Sequence, residues 1–258
     1  MFLLDKWYLD VVTDGGDVAI LYAARLRWGA VRAAYASAIE DGRAGAHREA
    51  RTIRGVEPPR RDARELTWRH KALDVDARWE LGARPIPRML ASTPDGKIHW
   101  SCHIPRGRAS VRIGACTYVG LGYAERLRLT IPPWKLPFGT LRWGRHVSDR
   151  HSVVWIEWRG VECRSWVWLD GCDQPDAVVT DTGVSGLADG AELCAGDGRD
   201  VVDRRVLAAF TDLLPGFAHR VGEPLRNMHE RKRVERSTIV RAGQPVDEGW
   251  TLRELVTW

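Results

Sequence analysis

Two short elements of this chain set a tyrosine two residues ahead of a carboxylate: Tyr8-Leu9-Asp10 and Tyr123-Ala124-Glu125. In an extended strand, residues two apart share a face, so each element presents a phenol and an acid side by side. If that face turns inward, the carboxyl leaves water. An acid in an apolar pocket stays protonated at neutral pH and can hand its proton to carbon. Adding water to an unactivated alkene needs such an acid, a base to place the water, and shelter for the cation between them. For that chemistry Glu125 is the candidate proton donor, Tyr123 its orienting neighbour, Asp10 the water-positioning base and Tyr8 a substrate contact. The same carboxylates also fit a plainer role, as ion pairs with Arg25 or Arg145 that lock the fold.

Further candidates surround these. His99 and Trp100 are neighbours on one strand, so they point to opposite faces, and His103 shares the face of His99. His99 is a candidate general acid or base and equally a hydrogen-bonded histidine of the core or surface. Trp100, Trp134 and Trp143 are candidate substrate contacts, since indole faces stabilise a developing cation; core packing is their other use. Arg145 joins this substrate-binding set. His146 and His151 flank a turn and read as exposed.

The elements that must position these groups repeat. Tyr8-Leu9-Asp10 precedes Leu26-Arg27-Trp28-Gly29, and Tyr123-Ala124-Glu125 precedes Leu141-Arg142-Trp143-Gly144, 115 residues later at the same internal spacing. Tryptophan is rare, so the match reads as an internal duplication into a unit 1–119 and a unit 120–258, with a cleft between units as the expected ligand site. A length of 258 residues supports a core in each half. Hydrophobic content of 44% and charged content of 28% are those of a soluble globular protein. The 13 Trp against 4 Phe and 5 Tyr suit a flat, apolar, unsaturated ligand.

Trp7 to Thr13, the Asp14-Gly15-Gly16-Asp17 turn and Val18 to Arg27 read as a hairpin, with Ala30 to Ile39 as a third strand. Residues 41–62, rich in Gly, Arg and Pro, read as a loop. Alternation resumes through Glu65 to Glu80, Ile98 to Ile104, Ser110 to Val119 and Tyr123 to Ile131. Thr140 to Val147, Ser152 to Trp158, Val161 to Leu169 and Arg226 to Val240 continue it in the second half. Val206, Leu207, Phe210, Leu213 and Leu214 have helical spacing, stopped by Pro215-Gly216. Many short strands with regular turns make the fold class all-β: two antiparallel, lipocalin-like β-barrels, with a short helix in the second half.

The formal net charge of +5 is concentrated in Arg43 to Lys71 and Arg226 to Arg241. A solvated face explains such runs, and peripheral contact with an anionic membrane would use them. Arg231-Lys232-Arg233 has no nucleic-acid-binding fold signature around it, so no nucleic-acid partner is expected. The five cysteines are widely spaced with no CxxC, which argues against a zinc site or a disulfide framework. No P-loop, GxSxG elbow or HExxH stands in the chain. No metal or cofactor is expected. With no signal-peptide pattern at the start and no span-length apolar run, the expected location is cytoplasmic. The sequence leaves the oligomeric state open.

Trp7-Tyr8-Leu9-Asp10-Val11-Val12-Thr13-Asp14-Gly15-Gly16 resembles the start of the carotenoid 1,2-hydratase (hydroxyneurosporene synthase) family. Gly120-x-Gly122-Tyr123-x-Glu125, followed by Trp143-Gly144-Arg145, resembles its central motif. The resemblance covers roughly residues 6–160. It implies the superfamily that includes the AttH-like proteins, with two lipocalin-like domains, and an activity that adds water to an isoprenoid double bond or steers polyene cyclisation. Acidic and aromatic site residues near the domain interface are implied with it. The chain departs from the family's pattern in carrying Glu125 where the hydratases more often have Asp. Arg126-Leu127-Arg128 stands where the family has an aromatic, His-rich segment. The expected function is a cofactor-independent hydratase or cyclase of a hydrophobic unsaturated molecule such as an isoprenoid, carotenoid or polyene. The alternative is a non-catalytic carrier of an apolar ligand.

Overall fold

The computed structural model of the chain describes residues 1–42, 45–206, 208 and 227–258. The fold is all-β, with two antiparallel sheets in the two-domain, lipocalin-like arrangement. Unit 1 spans Met1–Pro132 and unit 2 spans Pro133–Trp258. The division falls at 132/133 rather than at 119/120, because the strand carrying Tyr123 and Glu125 hydrogen-bonds into the first sheet.

Unit 1 contains β1 (Phe2–Thr13), β2 (Val18–Trp28), β3 (Val31–Asp41), β4 (His47–Thr52), β5 (Arg60–Arg61), β6 (Glu65–His70), β7 (Val75–Glu80), β8 (Ile86–Thr93), β9 (Gly96–Ile113) and β10 (Cys116–Leu129). Their order across the sheet is β4-β3-β2-β1-β10-β9-β7-β6-β5, with β8 paired to β9. Unit 2 contains β11 (Phe138–Val147), β12 (Ser152–Gly160), β13 (Arg164–Leu169), β14 (Cys172–Asp173), β15 (Val178–Val179), β16 (Gly183–Leu187), β17 (Ala191–Arg205), β18 (His229–Arg241) and β19 (Gln244–Thr257). Their order is β14-β13-β12-β11-β19-β18-β17-β16-β15. The two orders are the same path, β8 aside, so the duplication is visible in the topology.

The register of the repeat differs from the sequence match. Tyr8-Leu9-Asp10 and Tyr123-Ala124-Glu125 are not equivalents in two units. They are direct neighbours on β1 and β10 of one sheet, with Tyr8 opposite Glu125 and Asp10 opposite Tyr123. The β1–β2 hairpin closes with Thr13 N–H on Asp17 O, and the β11–β12 hairpin with Ser148 N–H on His151 O. Aligning those closures places Tyr8 on Trp143 and Asp10 on Arg145. Tyr8 faces Glu125 across β10, and Trp143 faces Glu254 across β19, so Glu254 is the counterpart of Glu125.

Local alternation explains the strands. In β7, Val75, Ala77 and Trp79 are buried while Asp76, Arg78 and Glu80 are exposed, the period-two pattern of a sheet with one wet face. The apolar face of unit 1 packs Trp7, Leu9, Val11, Leu21, Trp68, Trp79, Ile104 and Val111 into one cluster. The buried indoles find acceptors: Trp68 donates to Glu57 O at 2.9 Å and Trp79 to Asp10 O at 2.7 Å. The arginine-rich segment read as a loop contains β4 and β5, the two outer strands of the sheet. Its charges are partly paired, Arg51 with Glu49 at 2.6 Å and Glu57 with Arg25 at 2.8 Å. In unit 2 the apolar cluster is smaller and includes Val153, Trp155, Val167, Val184, Leu193 and Ile239. The helical pattern from Val206 to Leu214 lies outside the described residues beyond Val206, apart from Ala208; Asp203 to Arg205 belong to β17. Among the described residues no helix is long and apolar enough to cross a membrane.

Candidate active site

β1 is buried on both faces from Trp7 to Val12. Trp7, Leu9 and Val11 enter the apolar cluster, which leaves Tyr8, Asp10 and Val12 on the opposite face. Pairing then fixes what stands beside them. One straight row crosses five strands: Ser37 on β3, Tyr22 on β2, Tyr8 on β1, Glu125 on β10 and Cys102 on β9, each directly opposite the next. The adjacent row brings Ile39, Ile20, Asp10 and Tyr123 together. Tyr8 meets Tyr22 edge-on at 5.4 Å between ring centroids and Tyr123 at 6.1 Å. Lys6 Nζ lies 5.0 Å over the Tyr22 ring.

Glu125 is the centre of this patch. Its Oε2 accepts from Trp100 Nε1 at 2.5 Å and from Tyr123 Oη at 2.6 Å. Two short, charge-assisted bonds to one oxygen stabilise the anion that remains after a proton leaves. They also direct the proton of the acid form to Oε1, since Oε2 already serves two donors. Burial pushes the Tyr123 phenol well above its ordinary value, and the neighbouring Cys102 and Glu125 add to the shift. Tyr123 therefore stays protonated and remains a donor. Burial likewise pushes the Cys102 thiol well up, so it acts as a small polarisable neighbour, its Sγ 3.7 Å from Ala124 O. The register shifts between Gly122 and Glu125 let this strand turn Tyr123 and Glu125 together toward Trp100.

Asp10 is fully buried. Trp79, reaching from β7 through the apolar side, grips its backbone carbonyl. Gly122 makes that reach possible: a Cβ there would lie 2.5 Å from Trp79 Cδ1. The tryptophan thus holds the middle of β1 in place from the other side of the sheet.

Of the residues expected to do chemistry, Tyr8, Asp10, Trp100, Tyr123 and Glu125 come together in unit 1. His99 is exposed, on the face of β9 away from Trp100. His103 is on the other side of the sheet too, stacked on Trp7 at 4.7 Å. Trp134 stands in a short 3-10 turn, 37% exposed. Trp143 and Arg145 are buried on β11 of unit 2, where Arg145 Nη1 donates to Trp250 O at 3.3 Å. Arg25 donates to Val56 O and Glu57. Sequence reading missed Tyr22, Ser37 and Cys102, which only strand pairing brings beside Tyr8 and Glu125.

It also missed two buried polar groups of unit 2. Lys232, 2% exposed, donates to Glu254 at 2.5 Å and Glu230 at 2.9 Å. Burial alone would lower its pKa, but the two carboxylates outweigh that and raise it. His146, expected at the surface, is fully buried. Its Nδ1 lies 2.8 Å from Ser237 Oγ, which also accepts from Thr251 at 2.8 Å. Burial lowers the pKa of His146. Burial would raise Asp247, but His146, Ser148 and Arg150 hold it down to about 2.

No family model matches the chain, and no curated protein matches it in sequence. Solved structures do share its fold. A protein assigned as AttH from Nitrosomonas europaea aligns with a TM-score of 0.55 at 12% identity, over 98% of this chain and 91% of that one. Kievitone hydratase from Nectria haematococca aligns at 0.56 and 7% identity, over 98% and 88%. CghA with Sch210972 aligns at 0.51 and 11% identity, over 99% and 88%. At these identities the likeness is one of fold.

Proposed function

We propose that this protein is a cofactor-independent enzyme that hydrates or cyclises a hydrophobic, unsaturated small molecule on the Tyr8–Glu125 face of unit 1. The observation that carries this reading is the pair of donors on Glu125 Oε2, Trp100 Nε1 at 2.5 Å and Tyr123 Oη at 2.6 Å. They leave the acid proton on Oε1 and stabilise the carboxylate once it has gone. That a kievitone hydratase shares the fold agrees with this chemistry.

In the hydration reading, Glu125 transfers its Oε1 proton to one alkene carbon and a C–H bond forms from the π pair. The adjacent carbon becomes cationic beside the Tyr8 and Tyr22 rings. Asp10 orients a water whose oxygen bonds to that carbon and takes one of its protons. Proton return from Asp10 to Glu125 restores the enzyme, and one water has been added. In cyclisation a second double bond of the same molecule replaces water as nucleophile; Asp10 then takes a proton from the carbon beside the final cation, the C–H pair becomes a new double bond, and proton return from Asp10 to Glu125 restores the enzyme.

The test combines binding with isotope uptake. Wild type and Glu125→Gln are titrated with polyenes by quenching of tryptophan fluorescence, then incubated in deuterium oxide. Equal binding, with deuterium entering the product only with wild type, is the expected result, and general acid catalysis sets the loss at about 10²–10⁴-fold. Binding by both proteins with no product from either would make the protein a carrier.

A further inference from the structure

Unit 2 gathers arginines on one side of its sheet. Period two puts Arg142 and Gly144 on the same face of β11. The row through Gly144 runs to Arg253 on β19, Arg233 on β18 and Asp200 on β17, each directly opposite the next. Trp155, opposite Gly144 on β12, belongs to the apolar cluster of the unit. The guanidiniums therefore stand at the charged end of the core-facing side, and Arg142 is only 16% exposed. Among the described residues, five guanidiniums here bond to four carboxylates. Glu157 accepts from Arg142 at 3.2 Å and from Arg159 at 3.1 Å. Asp200 pairs with Arg231 at 2.8 Å and Arg233 at 3.2 Å. The buried Glu235 accepts from Arg233 at 3.0 Å and Arg253 at 2.7 Å. The fourth is Asp181, whose Oδ1 accepts from Arg142 Nη2 at 2.5 Å.

Asp181 differs from the other three in how it arrives. It stands in the turn between β15 and β16, at the outer end of the strand order, and its side chain is 90% exposed. Thr180 N–H on Gly183 O and Ala195 N–H on Thr182 O pin that turn, and Arg253 Nη1 donates to the Asp181 carbonyl. The carboxylate is thus laid from the solvent side onto a guanidinium that the sheet itself positions. An exposed ion pair is worth a factor of up to about five in an equilibrium, so an incoming anion can displace it. Charge selects the anion. With Asp181 in place the guanidiniums exceed the carboxylates bonded to them by one, and without it by two. A phosphate monoester carries about −1.5 to −2 charge and three acceptor oxygens, so it balances that excess better than a carboxylate does, and the guanidinium fork matches phosphate geometry. We infer that Arg142 and Arg253 form a phosphate-binding site on unit 2, latched by Asp181 when no ligand is bound. The phosphate takes the place of the Asp181 carboxylate on Arg142 Nη2, beside the Arg253 and Arg159 charges, and Asp181 turns out to solvent. This site shares no residue with the reaction face of unit 1.

The experiment is calorimetric titration of the full chain with inorganic phosphate and with octyl phosphate below its micelle-forming concentration, in low-salt buffer where screening is weak. Wild type is compared with Asp181→Asn, Arg142→Gln and Arg54→Gln, the last an exposed guanidinium of unit 1. Arg142→Gln leaves Glu157 its bond to Arg159, so the fold should persist, and thermal unfolding checks this. Asp181→Asn removes the competing anion and should bind about two- to fivefold more tightly than wild type. Arg142→Gln should bind at least about tenfold more weakly, and Arg54→Gln should match wild type. Tighter binding of octyl phosphate than of phosphate assigns the site to phosphate esters, and equal binding assigns it to the free ion; both support a phosphate site. Unchanged or weaker binding by Asp181→Asn overturns the inference, because Asp181 would then build the site or lie outside it. So does a loss in Arg54→Gln as large as that in Arg142→Gln, which would mark general attraction to a basic protein. Absence of binding by both wild type and Asp181→Asn at millimolar probe overturns it as well. Each of these results leaves the reaction proposed for unit 1 standing.

Discussion

Acidification from pH 7 to pH 5 should destabilise unit 1 through His103. Its imidazole stacks on Trp7 at 4.7 Å, and its Nδ1 accepts from Arg61 Nη1 at 2.8 Å. A guanidinium only donates, so Nδ1 must be unprotonated and the ring neutral. Arg126 lies 5.6 Å over the Trp7 ring, held there by a bidentate pair with Asp5. Burial first, and then the charges of Arg61 and Arg126, drive His103 from 6.5 to about 4. A histidine whose folded pKa is depressed contributes stability that is fully present above the unfolded value. That contribution is lost as pH falls from 6.5 toward 4. Linkage across the interval from pH 7 to pH 5 gives a loss of about 2 kcal/mol. His103 is only partly buried, and solvent screening reduces this to about 1 kcal/mol. His70 and His146 are also depressed by burial and act with the same sign, so wild type alone cannot isolate the effect. The comparison is His103→Phe, which keeps the stack on Trp7 and removes the titration. Urea unfolding at both pH values should show wild type losing about 1 kcal/mol more than the variant. Equal losses in the two proteins would refute the assignment of a partly buried, neutral His103.

Three further outcomes follow from the packing and the charges. Gly144→Ala places a Cβ 2.1 Å from the Trp155 ring, and overpacking of this kind should cost about 1–3 kcal/mol in thermal or urea unfolding. Gly139→Ala, where a Cβ meets nothing within 4 Å, is the control and should shift stability by less than about 0.5 kcal/mol. Lys232→Met strands Glu230 and Glu254 in a buried site, with an expected loss of about 3–5 kcal/mol, largely recovered by adding Glu230→Gln and Glu254→Gln. Trp100→Phe removes the 2.5 Å donor to Glu125; if catalysis runs through that carboxyl, the rate should fall with little change in ligand affinity, measured as kcat against Kd.

The strands and the all-β class were legible because period-two alternation depends only on neighbouring residues, as in Val75 to Glu80. The two Tyr-x-acid elements were legible for the same reason. Their relation was not. Tyr8 and Glu125 face each other because β10 closes against β1 after more than a hundred residues, and no local pattern encodes that pairing. Matched tryptophans suggested an offset of 115, but Trp28 ends a hairpin strand while Trp143 sits mid-strand opposite Glu254. The hairpin closures at Thr13 and Ser148 carry the true register. Ser37 and Tyr22 escaped notice because a serine among alanines and a tyrosine in an apolar run have no signature until neighbouring strands align them. Proximity to a turn reads as exposure for His146, yet the strand carries its side chain inside, where it is fully buried.

The corrected register turns the duplication into an argument about function. Equivalent strands of the two units place a glutamate at the same point, Glu125 opposite Tyr8 and Glu254 opposite Trp143. Their neighbours on the next strand differ in kind. Opposite Glu125 stands Cys102, and opposite Glu254 stands Lys232. A cysteine whose thiol is held protonated by burial brings no charge to Glu125, whose Oε2 accepts from two neutral donors, Trp100 and Tyr123. A buried ammonium 2.5 Å from Glu254 fixes that carboxylate as an anion in an ion triad with Glu230. A buried ammonium opposes protonation of the carboxylate beside it, whereas neutral donors add no such charge. The ion triad of the second site is suited to holding strands β18 and β19 together. Replacing Cys102 with Lys should therefore impose the second character on the first site: the fold should persist, ligand binding should be weakened only modestly, and proton transfer from Glu125 should stop. A Cys102→Lys protein that folds, binds and still transfers deuterium to its product would show that Glu125 is not the acid.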